Sequence, residues 1–433
     1  MEASNTAATH VLTIERSVPV AVLPEQDTPG GSIFLSSIDN AALSIISTVY
    51  AFNRSDANVA GVIKHALSKV LVYYYPLAGR LAKDSRGKLI VDCEKKLGVP
   101  FVEALADCHI ENLGDIQIMD SDLLGKLVYR DPTENMLEDG PLLTAQVTRF
   151  KCGGFTLGMA IHHSVVDGTA AINFMNSWAE VARGKPLSLI PFHDRTILKS
   201  RVPPQIRGPY DDFVHVSDVS DITASYEREQ IVFKSFHFDA EKLETIKKMA
   251  TTGGQVMSSC SNFVALAALV WRARSMALKM KPHQLSKLLI AFDFRSKLGT
   301  SLPEEYFGNA ILVPGCLCTA GELIDEPISF ATGKIKKTIE RVTEDYVRSS
   351  IDYMDTYYFD PYSVSSLLIT SWLRLDYSCI DFGWGGPRQL GTGNPPPNLC
   401  FFMREGSENK KGIVVSLGLP LSAMSTFQEL VRI

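Results

Sequence analysis

No stretch of this 433-residue chain holds the ~20 consecutive apolar residues that a membrane-crossing helix needs. No C-x-x-C pair occurs among its eight cysteines. The one close pair, Cys316 and Cys318, has the spacing that puts two side chains on one face of a strand, unlike a zinc site. G-x-S-x-G, the turn that exposes the nucleophile of serine hydrolases, is missing too. Positive charge is not in excess: the net charge is −5, which argues against general nucleic-acid binding but leaves room for a local basic patch. The first twelve residues lack a basic stretch followed by an apolar one, so no secretory leader is expected. Val431-Arg432-Ile433 at the end is no address motif. Reduced thiols in the cytosol follow as the simplest expectation.

The composition that remains, 45% hydrophobic and 21% charged, is that of a globular protein. A chain this long exceeds what one core supports, so two domains are expected. From Gly184 to about Tyr226 periodicity fades and breakers such as Pro186, Pro191, Pro203 and Pro204 accumulate. That stretch reads as a solvated crossover, in keeping with Asp211, Asp212, Asp218 and Asp221. It separates a first lobe over 1–185 from a second over 227–433, with 186–226 between them. Apolar spacing predicts helices over 58–72 (capped by Asp56 or Ser55), 169–181, 239–250, 261–278, 327–346 and 422–430. The fourth is apolar almost all round until Arg272 and Arg274 and is expected to be buried. Strands are predicted over 11–22, 89–91, 99–102, 145–150, 155–161, 229–238, 288–292, 310–314, 368–372, 398–403 and 412–417.

Two motifs carry chemistry. His162-His163-Ser164-Val165-Val166-Asp167-Gly168 follows a strand-like run and precedes a helix. A histidine at a strand end is held by rigid backbone, and with an ordinary pKa near ~6.5 it can take a proton from an alcohol or amine near neutral pH. Gly168 would let the chain turn before the helix. The same residues could instead be a core histidine and a helix-capping aspartate. Asp381-Phe382-Gly383-Trp384-Gly385 describes a sharp turn holding one indole, which alone could be a hydrophobic plug.

Together the motifs resemble those of the plant BAHD acyltransferases, which move an acyl group from coenzyme A to an alcohol or amine. The resemblance also runs through Tyr75-Pro76-Leu77-Ala78-Gly79-Arg80-Leu81, Val270-Trp271-Arg272-Ala273-Arg274, Asp293-Phe294-Arg295 and Tyr306-Phe307-Gly308-Asn309, from about residue 30 to the C-terminus. It implies an α/β fold of two similar lobes with mixed β-sheets and flanking helices, chloramphenicol-acetyltransferase-like, with an active-site tunnel between the lobes. It implies His163 as general base, with His162 on the opposite face. Asp167, beside Gly168, would turn away from the cleft and pair with Arg295. Trp384 would offer its indole N–H to the developing oxyanion. Asp381 would act either as a second catalytic carboxylate or as a hydrogen-bond acceptor holding the turn around Gly383. Ser259 and Ser261, where helix-end donors are free, would cradle coenzyme A phosphates or simply cap the helix, and Lys297 would supply a cation. Acyl-CoA is then a substrate, with no cofactor and no metal, and the protein is expected to be a cytoplasmic monomer whose partners are donor and acceptor.

Within the family, Leu35-Ser36-Ser37-Ile38-Asp39-Asn40, Asp194-Arg195-Thr196-Ile197-Leu198 and Arg348-Ser349-Ser350-Ile351-Asp352-Tyr353 resemble the group transferring hydroxycinnamoyl units to ω-hydroxy fatty acids and fatty alcohols. The fillers of the His162–Asp167 run and Gly386-Pro387-Arg388 depart from that group. Polyamine N-acylation, O-acylation of a terpenoid or alkaloid alcohol, and a catalytically silent binding relative therefore stay open. Condensation domains of peptide synthetases share the histidine motif but not D-F-G-W-G.

Overall fold

Two mixed sheets frame the protein, and each takes its order from long-range pairing. The computed structural model describes residues 12–117, 121–132, 140–208, 211–251, 260–299, 302–357, 363–393, 396–405 and 412–433. The first sheet runs Ile14–Arg16, Val99–Ala106, Leu143–Arg149, Phe155–His162, Ile45–Phe52 and Gln389–Thr392, with Val20–Val22 also on Val99–Ala106. Its one parallel pair among the described residues joins Val99–Ala106 to Leu143–Arg149. The second runs Ile231–Phe238, Ile413–Pro420, Leu399–Arg404, Ser366–Ser371, Leu285–Ile290 and Gly315–Thr319. Two neighbouring pairs in it are parallel.

Helices Val59–Val70 and Gly168–Ala182 cover the first sheet and share one core with it. The indole N–H of Trp178 donates to the Ile63 carbonyl at 2.9 Å, satisfying the polar edge of a fully buried ring. Asn262–Ala277 fills the second core with alanine and leucine, and Trp271 Nε1 donates to Ser286 Oγ at 2.8 Å. Its burial extends past the expected limit. Arg274 is buried as well, donating to the Val364 carbonyl at 2.7 Å.

Several elements differ from the sequence expectation. The helix expected over 327–346 is two, Ile328–Glu340 and Glu344–Thr356, because Thr343 Oγ1 accepts from Tyr346 N–H and starts a new helix. Neither Asp56 nor Ser55 caps Val59–Val70; Asn58 holds the cap position without a side-chain bond. Strand Ile45–Phe52 was not anticipated, although Ile46, Thr48 and Tyr50 alternate along one face. The 186–226 crossover is not a simple solvated strap. Asp212 is buried and ion-paired to Arg341 at 2.7 Å, while its carboxylate also accepts from the Tyr346 hydroxyl and Gly315 N–H. Burial outweighs those donors and lifts its pKa. Cys316 and Cys318 do lie on one strand, buried and free. Among the described residues no helix is long and apolar enough to cross a membrane.

Candidate active site

A cavity of about 970 Å³ opens between the sheets. Ile46, Thr48, Tyr50, Met159 and Ile161 form its first-sheet wall, and Leu368, Thr370, Leu399 and Phe401 form the second. His163 stands on the wall and His162 does not. The sequence dictates this locally: Phe155–His162 is buried up to Ile161, so its end is fixed, and the next residue begins a short 3-10 turn, His163–Val165. His163 N–H donates to the Ser44 carbonyl at 2.7 Å. His162 turns inward, its Nδ1 meeting the Ser164 hydroxyl at 2.7 Å. Burial, helped by neighbouring His163, pushes the His162 pKa down to about 4, so that ring is neutral at physiological pH.

Behind His163 lies a polar chain that motif spacing did not reveal. Asn309 Oδ1 is 3.0 Å from His163 Nδ1. Asn309 Nδ2 donates to the His163 carbonyl at 2.7 Å and to Asp39 Oδ1 at 2.8 Å. Asp39 is paired with Arg195 at 3.0 Å, with both side chains shielded from solvent. Arg195 also donates to the carbonyls of Ser164, Val165 and Phe307, the first two within the turn that follows His163. The sequence signal available was Asn309 inside the Tyr306–Asn309 run.

Asp167 caps helix Gly168–Ala182, accepting from Ala170 N–H at 2.9 Å. Arg295 meets it with two nitrogens, at 2.9 and 3.1 Å, and Ala310 N–H adds a further donor. Arg295 also holds Asp293 at 3.0 Å. Gly168 has no left-handed backbone; a side chain there would meet Leu375 at 3.0 Å, so the constraint is space and not the tight turn expected.

The structure does not bring Trp384 and Asp381 to this cavity. The Trp384 ring packs edge-on to Phe155, 5.9 Å between centroids. Phe155 opens the strand that His162 closes, roughly 23 Å away at the usual rise of a strand. An oxyanion beside His163 is therefore out of reach of the indole. Asp381 Oδ1 accepts from Gly383 and Gly385 N–H, both at 2.8 Å, and Oδ2 lies 3.3 Å from Arg183. Burial raises its pKa, but these donors outweigh it and the net shift is downward. Gly383 and Gly385 sit at φ +115° and +95°, which explains the two glycines.

Of the residues expected at coenzyme A, Ser261 lines the cavity and caps Asn262–Ala277, accepting from Val264 N–H at 3.2 Å. Ser259 lies outside the described residues. Lys297 is not on the wall; its ammonium lies over the Phe292 ring. Lys336, 3.9 Å from Glu340, is a cation that does line the cavity. Among the described residues the group close enough to share a metal is His109, Glu111 and Cys152, exposed on the surface and away from the cavity.

Two lobes with mixed sheets, a cavity between them and a histidine on its wall define a two-domain α/β transferase. The Transferase family model matches residues 10–432, and the chain belongs to that family, the BAHD acyltransferases; it is an acyl-CoA-dependent acyltransferase. Over 424 residues it is 45% identical to the omega-hydroxypalmitate O-feruloyl transferase of Arabidopsis thaliana, covering 96% of this chain and 92% of that one. Over 428 residues it is 43% identical to the fatty alcohol:caffeoyl-CoA acyltransferase of the same plant, covering 98% and 99%. The crystal structure of vinorine synthase superposes with a TM-score of 0.75 at 24% identity, over 96% of each chain, which is a likeness of fold.

Proposed function

We propose that the protein transfers a hydroxycinnamoyl group, such as feruloyl, from coenzyme A to the hydroxyl of a fatty alcohol or ω-hydroxy fatty acid. The observation that carries this reading is the cavity wall: mostly aliphatic and aromatic side chains around His163, with room for a long chain. The carboxylates on its wall are Asp167 and Asp293, both committed to Arg295, and Glu340, which lies 3.9 Å from Lys336. A polyamine would need free ones. Hydroxyls of Ser44, Thr48 and Tyr50 on the first-sheet wall suit an aromatic acyl group bearing polar substituents, and that of Ser44 is buried without a partner among the described residues. The substrates named for the two Arabidopsis relatives point the same way.

In this mechanism His163 takes the acceptor's hydroxyl proton while the oxygen attacks the thioester carbonyl. The tetrahedral intermediate then collapses, the carbon–sulfur bond breaks, and the proton passes to the departing thiolate. No covalent acyl-enzyme and no cofactor are needed, since the thioester is already activated. Ser261 and Lys336, both on the cavity wall, would meet the coenzyme A phosphates. Asp167, Gly168 and Arg295 hold the histidine turn to the second lobe, and Asp381 and Gly383 shape the distant turn that carries Trp384. We assign the enzyme to the cytosol as a monomer, to be checked by fractionation and by light scattering on the purified chain.

Burying one methylene is worth ~0.8 kcal/mol, so KM should fall about fourfold per added methylene until the channel is filled. A screen of feruloyl-, coumaroyl-, benzoyl- and acetyl-CoA against alcohols of rising length, spermidine and shikimate tests this. Flat dependence on length together with efficient spermidine acylation would transfer the assignment to amines. His163→Ala should lose transfer by ~10²–10⁴ and His162→Ala far less. The reverse order would mean that the base is the other histidine.

A further inference from the structure

The chain of groups behind His163 determines more than its position. Asp39 accepts at both oxygens: Oδ2 from the Ser36 backbone and hydroxyl, and Oδ1 from the Asn309 backbone and side chain, with Arg195 at 3.0 Å. A carboxylate so placed only accepts, and the Asn309 amide must therefore turn its NH₂ toward it. The second amide hydrogen goes to the His163 carbonyl. Both donors are then used, and Oδ1 is the atom that faces His163 Nδ1 at 3.0 Å. An amide oxygen can only accept, so Nδ1 must carry the hydrogen. A neutral imidazole has one such hydrogen, which leaves the lone pair on Nε2.

We propose that Asn309, its amide orientation locked by the buried Asp39–Arg195 pair, is the positioning residue that sets the His163 tautomer and keeps Nε2 basic. This rests on the assignment of His163 as general base. The arrangement parallels the aspartate of a Ser-His-Asp triad, which also holds the hydrogen on Nδ1. Here a neutral amide touches the ring and the negative charge is one residue further back, already balanced by Arg195. Inverting the amide would set its oxygen against the Asp39 carboxylate, so the orientation has no second favourable state. Arg195 adds a backbone hold, through the Ser164 and Val165 carbonyls.

The test uses the full-length protein labelled with ¹⁵N-histidine. Of nine histidines, His163 is assigned by the signal lost in His163→Gln. Wild type should show a protonated Nδ1 and an unprotonated Nε2 once the ring is neutral. Asn309→Ala should mix or invert that pattern, and kcat should fall by roughly 10–100-fold, the scale of losing an orienting partner, with KM for acyl-CoA changed less than about threefold. A wild-type hydrogen on Nε2, or an unchanged tautomer and turnover in Asn309→Ala, overturns the proposal. Should Asn309→Ala fail to fold, the wild-type spectrum alone decides. Full activity in His163→Ala would instead refute the general-base assignment while leaving the tautomer measurement intact, so the two failures are distinguishable.

Discussion

Asp167 accepts four hydrogen bonds: two from the Arg295 guanidinium, one from Ala170 N–H and one from Ala310 N–H. They come from the helix after the histidine turn, from the 3-10 turn Arg295–Lys297 and from Ala310 just beyond the Tyr306–Asn309 run, so one carboxylate ties three segments together. Leaving a buried charge unpaired costs about 3–5 kcal/mol, a penalty that falls fully on Asp167 without Arg295 and less on Arg295, which keeps Asp293. Arg295→Ala and Asp167→Asn should therefore each lower the melting temperature and, through it, activity. In a double-mutant cycle they should couple by ~0.5–3 kcal/mol, because the side chains meet directly. Additive losses would contradict the bidentate contact.

At the scale of elements, helix Asn262–Ala277 begins at the cavity with Ser261, and that one hydroxyl could cap, bind or do both. Aspartate is as good an N-cap as serine and also suits the helix dipole, but it would repel a phosphate. Ser261→Asp should thus keep the wild-type melting temperature while raising KM for acyl-CoA, more strongly at low salt. Ser261→Ala should cost about 1 kcal/mol of stability for the lost cap. If Ser261→Asp leaves KM unchanged, the serine is a cap and nothing more. Strand Phe155–His162 makes a related point about placement. One rigid element has His163 following its far end and Trp384 packed at its start. The tryptophan turn therefore sits a strand's length from His163.

Across the whole molecule the lobes are stitched by more than the Asp167–Arg295 pair. Gln389–Thr392 returns from the second half of the chain to pair with Ile45–Phe52. A separate apolar cluster joins Ile38 and Leu198 to Phe294 and Tyr346. The crossover is pinned by Arg195 to Asp39 and by Arg201 to Asp352 at 2.8 Å. The first sheet is incomplete without the Gln389–Thr392 strand from the second half, and the crossover is anchored to both halves. Scanning calorimetry should therefore show one cooperative unfolding transition, with fluorescence and far-ultraviolet dichroism coincident. Two separated transitions would mean that the lobes unfold on their own.

What the sequence determined by itself was local. Periodicity located helices Val59–Val70, Gly168–Ala182 and Asn262–Ala277, and strand Phe155–His162, because the pattern of buried side chains repeats with each element's own geometry. The order of motifs identified the family and singled out His163. What only the tertiary structure decided depends on residues far apart in the chain: Gln389–Thr392 joining the first sheet, Asp212 buried in a crossover that reads as solvated, and Asn309 and Asp39 meeting behind His163 across 146 and 270 residues. It also set Trp384 a strand's length from His163. A short motif records which residues are present, but the distance between two motifs is set by how strands from both halves pair, and no local pattern carries that information.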